Sequence, residues 1–251
     1  MDDDLFSPGA QLAARDRLER QTVREFGRAL GTFLADVQAV ALASLSPETE
    51  VIPFTAAVVA EMWETLAHEA VERILDPETE GEEYAEVVAI LLDSGIPATV
   101  YGSATAVLAE ARENGWSRRR VGEELAAALA VDAQLTVQVP DEVITASLGS
   151  SGRSLGKIAV GAAVVAATVV AARRFRKRAR ERGRREERVM QRWVTRRDGR
   201  VRPTHAAADG QTVGMDETFL VGGYSLRYPG DGWAPPHETA NCRCFLVAAR
   251  L

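Results

Sequence analysis

Residues 193–205 read Trp-Val-Thr-Arg-Arg-Asp-Gly-Arg-Val-Arg-Pro-Thr-His, and the same window continues through Asp209-Gly210 and Tyr228-Pro229-Gly230-Asp231 to Asn241-Cys242-Arg243-Cys244. Helix formers are scarce in it and turn formers recur every few residues. Its apolar runs are short, Phe219-Leu220-Val221 and Phe245-Leu246-Val247, and are separated by Gly222-Gly223, Pro229-Gly230-Asp231-Gly232 and Pro235-Pro236. Short apolar runs bounded by Gly and Pro predict strands and loops. Residues 193–251 are therefore expected to form a small strand-and-loop module, and a module of that size has little core and often needs a staple.

Upstream the pattern changes. Residues 10–45 carry Leu12, Leu18, Val23, Phe26, Leu30, Phe33, Leu34, Val37 and Val40 at three- and four-residue spacings among charged residues, the mark of an amphipathic helix. Residues 56–75 repeat the pattern behind Pro53, whose fixed φ suits a helix start. Shorter helices are predicted over 83–94, closed by Gly95-Ile96-Pro97, over 99–114, closed by Gly115, and over 117–130, capped by Ser117. The expected class is thus α+β: an acidic helical body over 1–147, a linking region over 148–192, and the C-terminal module over 193–251. Mutual packing in a helical bundle accounts for the apolar stripes.

The linking region opens with Leu148-Gly149-Ser150-Ser151-Gly152-Arg153-Ser154-Leu155-Gly156, which reads as a flexible joint. Fifteen uncharged residues rich in Ala, Val and Gly follow, 158–172. As a helix they would span about 22 Å, short of a hydrocarbon core of about 30 Å. Lys157 and Arg173 could snorkel to close part of the gap, so a buried helix, a membrane-active segment and a loose spacer all remain open.

Then comes a basic run containing Arg173, Arg174, Arg176, Lys177, Arg178, Arg180, Arg184 and Arg185. Residues 173–202 hold 15 Arg and Lys against four acidic residues, a local charge of +11, so the rest of the chain carries −17 within a total of −6. A solvated helix or polar tether is expected, compatible with contact to DNA phosphate or an acidic partner. Few aromatic residues accompany it, which disfavours base readout of a single strand.

At 251 residues, with 46% hydrophobic and 26% charged residues, the composition excludes a disordered chain. Two cysteines separated by one residue exclude a secreted disulfide framework, and Met1-Asp2-Asp3-Asp4 is not the start of a signal peptide, so folding in a reducing cytosol is expected.

Both cysteines and two of the three histidines lie in the C-terminal window. His205, His237, Cys242 and Cys244 have the number and type of ligands for one structural zinc ion. The competing reading is a pair of buried thiols with hydrogen-bonded histidines. A hydrolytic site could draw on His205, Asp209, Asp231, His237 and Ser225, but none of the familiar nucleophile, zinc-protease or phosphate-loop motifs accompanies them.

The ordered set of Trp193 and Thr195, Asp198-Gly199-Arg200-Val201-Arg202, His205, Asp209-Gly210, Tyr228-Pro229-Gly230-Asp231 and Asn241-Cys242-Arg243-Cys244 resembles the phage head morphogenesis domain shared by Mu F-like and SPP1-like minor head proteins of tailed bacteriophages. The resemblance covers about a fifth of the chain. By position it marks Asp198, Arg202, His205, Asp209, Gly210, Pro229, Asp231, Asn241, Cys242, Arg243 and Cys244 as characteristic residues. It implies a structural protein of a phage or prophage head, assembled in the host cytoplasm and residing in the head interior or at the portal vertex. Its implied partners are the portal and the major capsid or scaffolding protein; packaged DNA could meet the arginines, and a membrane residues 158–172. Since many relatives are labelled capsid maturation proteases, the alternative is a hydrolase using the C-terminal His and Asp residues. The Ala/Val segment and Arg run stand where relatives carry an amphipathic helix with an Arg-Thr-Glu element.

Overall fold

A computed structural model describes residues 3–45, 53–75, 81–130, 155–183 and 189–250. Of the expected joint at 148–156, residues 148–154 lie outside the described residues, as do Arg184 and Arg185, while Leu155 and Gly156 instead begin a helix. The chain divides into two compact units that do not follow chain order. One comprises Met1–Val23, Thr79–Glu83 and Gly161–Leu251; the other comprises Arg24–Glu78 and Tyr84–Val160.

The second unit is helical, as the periodicity predicts. It contains the later part of α1 (Pro8–Ala43), α2 (Ala56–Ile74), most of α3 (Gly81–Leu92), α4 (Ile96–Asn114) and α5 (Arg118–Ala130). Thr55 caps α2 by accepting a hydrogen bond from the Val58 amide at 3.3 Å. Val59, Trp63, Ala67, Ala70, Val71 and Ile74 then form one buried stripe. At its centre Trp63 is fully buried, meets Phe33 at a ring separation of 5.2 Å, and donates its indole N–H to the Leu91 carbonyl at 3.1 Å. Gly115 ends α4 at φ +60, a left-handed conformation glycine adopts without steric cost.

The first unit is built around β1 (Val189–Thr195). It pairs antiparallel with β5 (Cys244–Arg250) in the register Val189↔Arg250 to Thr195↔Cys244, and on its other side with β2 (Thr212–Val213). A separate hairpin joins β3 (Phe219–Val221) to β4 (Tyr224–Leu226) through Gly222 and Gly223, both at positive φ as a tight two-residue turn requires. Two short helices, α7 (Pro203–Ala208) and α8 (Pro236–Thr239), each begin with a proline.

Helix α6 (Leu155–Gly183) carries the Ala/Val segment and the start of the basic run without interruption. Ala163, Ala166, Ala167, Val169, Val170, Ala172, Phe175 and Ala179 are buried. Small side chains let the backbone of the C-terminal loops come close, so that a Cβ added to Gly230 would stand 3.2 Å from Thr168 Cγ2. From Gly161 onward the apolar segment is thus an internal helix of this unit.

The expectation of a solvated basic face over 173–192 needs correction. Arg176 is buried and donates to Gln191 Oε1 at 3.2 Å, to the Met215 carbonyl at 2.9 Å and to the Arg227 carbonyl. Arg173 lies over the Tyr228 ring at 5.8 Å, and Arg180 pairs with Asp216 at 2.8 Å. Only part of the run, Lys177 and Arg178 among it, is exposed. Residues 189–192, assigned to a tether by their charge, form the start of the central strand. The physical reason is that α6 lies against the strand module, so one side of a basic helix must satisfy buried carbonyls.

Candidate functional site

Three elements converge on one buried cluster. Pro203 at the start of α7 sets the turn that carries His205 inward, where the imidazole is 1% exposed. Asn241 adopts φ +53, a conformation asparagine tolerates better than most residues, and turns the chain from α8 into β5. That turn places Cys242 and Cys244, both fully buried and free of disulfide, beside the ring. His205 Nδ1 lies 3.3 Å from Cys244 Sγ and 3.6 Å from Cys242 Sγ. The opposite ring nitrogen, Nε2, lies 3.1 Å from Glu238 Oε2, which also accepts a hydrogen bond from Thr204 Oγ1 at 3.0 Å. Trp193 closes the site with an edge contact to the imidazole at 5.7 Å.

The electrostatics couple these groups. Burial works against a charged His205, but the hydrogen bond and charge of Cys242 outweigh it and raise the imidazole pKa. Burial likewise opposes a Cys242 thiolate; hydrogen bonds from Cys244 and His205 prevail and lower its pKa well below the usual thiol value. Cys244 moves the other way, because its S–H donates to Cys242 and because it is buried. Arg15, itself 2% exposed, reaches in from α1 to donate to the Cys242 carbonyl and to Thr168 Oγ1 at 3.1 Å.

The remaining motif residues hold the frame of this cluster. Asp209 accepts from the Thr195 amide at 2.8 Å and from Arg197 Nε at 3.0 Å, while Gly210 at φ +85 donates to the Trp193 carbonyl at 2.8 Å. Asp198 is bridged by Arg243, Arg202 donates to the Ala240 carbonyl, and Pro229 is buried before Gly230. Asp231, fully buried, accepts from Arg227 at its amide, Nε and Nη2, all within 2.9 Å.

The candidate hydrolytic set is not assembled. Asp209 and Asp231 are each committed to backbone and arginine donors, Ser225 is exposed on β4, and His237 is exposed with its ring 6.0 Å from that of Tyr224. Of the four ligands expected for zinc, the fold brings three together, and His237 is not among them. Its neighbour Glu238 is the residue that reaches His205. Glu238, Thr204, Arg15 and Thr168 carry no motif signal. An acid adjacent to a histidine was the one visible hint, and only the turn of α8 decides which of the two faces inward.

Asp231 makes a pH test available. Burial alone would raise its carboxyl, but the Arg227 side-chain and backbone donors outweigh this and hold it below the ordinary carboxylate value. A depressed folded-state pKa contributes stability above the unfolded value of about 3.9 and loses it as pH falls through the folded value. Asp231→Asn should therefore cost about 1–3 kcal/mol at neutral pH and flatten the loss of stability below about pH 4. Urea unfolding midpoints at neutral and acid pH check both parts.

Gly222 makes a second one. An added Cβ would overlap the Glu238 carboxylate, and the residue sits at φ +58. Gly222→Ala should displace Glu238 from His205 and strain the hairpin by about 1–2 kcal/mol, visible as an altered His205 ring resonance in NMR.

No curated protein and no solved structure matches the chain. Residues 142–247 match the family model described as Phage Mu protein F like protein, a span that contains β1, the His205 cluster and the first part of β5. The C-terminal part of this chain is accordingly similar to the phage Mu protein F like family, which supports the resemblance to a phage head morphogenesis domain.

Proposed function

We propose that this phage head morphogenesis protein is a structural minor head component that docks at the portal vertex or inner capsid, and that it has no catalytic role in head maturation. The observation that carries this reading is the state of the polar motif residues. His205 is sealed at 1% exposure and Asp231 is fully buried on Arg227 donors, so a substrate has no route to either in this arrangement, while the partly exposed Asp209 is held by the Thr195 amide and Arg197. Residues used this way make a rigid frame. Outside the frame the domain exposes large apolar groups, Leu220 at 63% and Trp233 at 84%, as a docking surface would. The family match supports a role among head components, assembled in the host cytoplasm and carried in the head. Packaged DNA is a further partner for the exposed Lys177 and Arg178.

Trp233→Ala tests it in a head assembly system that supplies portal and capsid proteins. The substitution should leave thermal stability within about 0.5 kcal/mol and lower incorporation of the protein into heads severalfold. The alternative, a capsid maturation protease, predicts something else: His205→Ala would leave capsid precursor uncleaved. Normal processing with defective heads supports the structural reading, and accumulation of precursor would overturn it.

A further inference from the structure

The geometry points to a mononuclear zinc site made by His205 Nδ1, Cys242 Sγ and Cys244 Sγ, with a buried water as fourth ligand, Glu238 as the residue that orients the imidazole, and no part for His237.

The distances fit a metal. Zinc bonds of about 2.05 Å to nitrogen and about 2.3 Å to sulfur at a tetrahedral angle put nitrogen and sulfur about 3.5 Å apart. The observed separations are 3.3 and 3.6 Å, and the three ligand atoms all lie within 4.8 Å of one another. Both sulfurs face the same ring nitrogen. Nδ1, as donor or acceptor, can make a good hydrogen bond to only one of the two sulfurs, whereas one ion between the three atoms engages all of them.

The surroundings fit as well. A metal-bound histidine usually donates its other ring N–H to a carboxylate, which fixes the tautomer and turns the lone pair toward the metal. Glu238 at 3.1 Å from Nε2 is placed for that, and is held in turn by Thr204. Arg15 leaves Nε and Nη1 buried without a hydrogen-bond partner among the described residues. Metal-bound thiolates stay good acceptors for such donors. On the Cys244 side lies a cavity of about 10 Å³, lined by Arg15 and Thr168 among mostly apolar residues and about the size of one water. An open fourth position elsewhere marks catalytic zinc. Here both cysteines are 0% exposed, so the ion is a staple that ties α7 to the start of β5 and secures a module with little core.

The test uses the full chain, purified without a histidine tag under reducing conditions and without chelator. Elemental analysis should find about one zinc per chain. Replacement by cobalt should give the intense visible bands of a tetrahedral thiolate site. His205→Gln and Cys244→Ser should each reduce zinc at least tenfold, and His237→Ala should retain it. Should a ligand variant fail to fold, the cobalt spectrum of the wild type and the zinc content of His237→Ala still decide. Zinc below a tenth per chain together with no cobalt bands, a mass deficit of two hydrogens from a Cys242–Cys244 disulfide, full zinc in His205→Gln, or zinc lost in His237→Ala would each overturn the assignment. None of these outcomes bears on where in the head the protein docks.

Discussion

Replacing Trp193 by alanine is expected to destabilise the strand-containing unit by about 3–5 kcal/mol, the range for deleting a large aromatic group from a packed core. Trp193 is completely buried in the middle of β1, where it pairs with Leu246 and has edge contacts with Phe219 at 5.3 Å and His205 at 5.7 Å. Its backbone also receives β2 and the turn beside it, accepting from the Gly210 amide at 2.8 Å and donating to the Gln211 carbonyl at 2.9 Å. The ring therefore links the sheet, the hairpin and the helix that carries His205. Amide hydrogen exchange in β1 and β5 should rise sharply in the variant, and Cys242 and Cys244 should become reactive to a thiol reagent that does not reach them in the native protein. A loss under about 1 kcal/mol, with both cysteines still protected, would show that the cluster is held by other contacts.

Arg176→Met carries the second large effect. The side chain keeps much of its bulk, but three acceptors lose their donor: the buried Gln191 Oε1 and the part-buried Met215 and Arg227 carbonyls. Burial lowers the Arg176 pKa and neighbouring arginines lower it further, which shows that the position is costly for a charge and is tolerated for the hydrogen bonds it makes. Orphaning these acceptors should cost about 3 kcal/mol. Arg178→Ala, on the exposed side of the same helix, should stay within about 0.5 kcal/mol. Urea unfolding of the two variants side by side checks the contrast; equal effects would return the basic run to a solvated face.

The contrast also shows where sequence reading reaches its limit. Arg176 and Arg178 are chemically identical and two residues apart, and no local pattern separates the buried one from the exposed one. The same holds for β1. Val189-Met190-Gln191-Arg192 follows a charged run, and its buried inward position is filled by Gln191, whose amide donates to the Gly214 and Glu217 carbonyls at 2.9 and 3.1 Å. A buried polar residue removes the alternation that would have announced a strand. The helices of the other unit were legible because Val59, Trp63, Ala67, Val71 and Ile74 repeat with the helical period, a property that needs no partner to be visible.

By itself the sequence determined the element types of the helical body and the turn-rich character of the C-terminal region, and it singled out His205, His237, Cys242 and Cys244 as candidates for special chemistry. Each follows from local spacing or side-chain type. Only the tertiary structure decided that helix α6 belongs inside the strand unit, that its arginines divide between core and solvent, and that Glu238 rather than His237 meets His205. Those outcomes depend on which face of an element its neighbours cover, and burial is a property of the packed chain that no single segment carries.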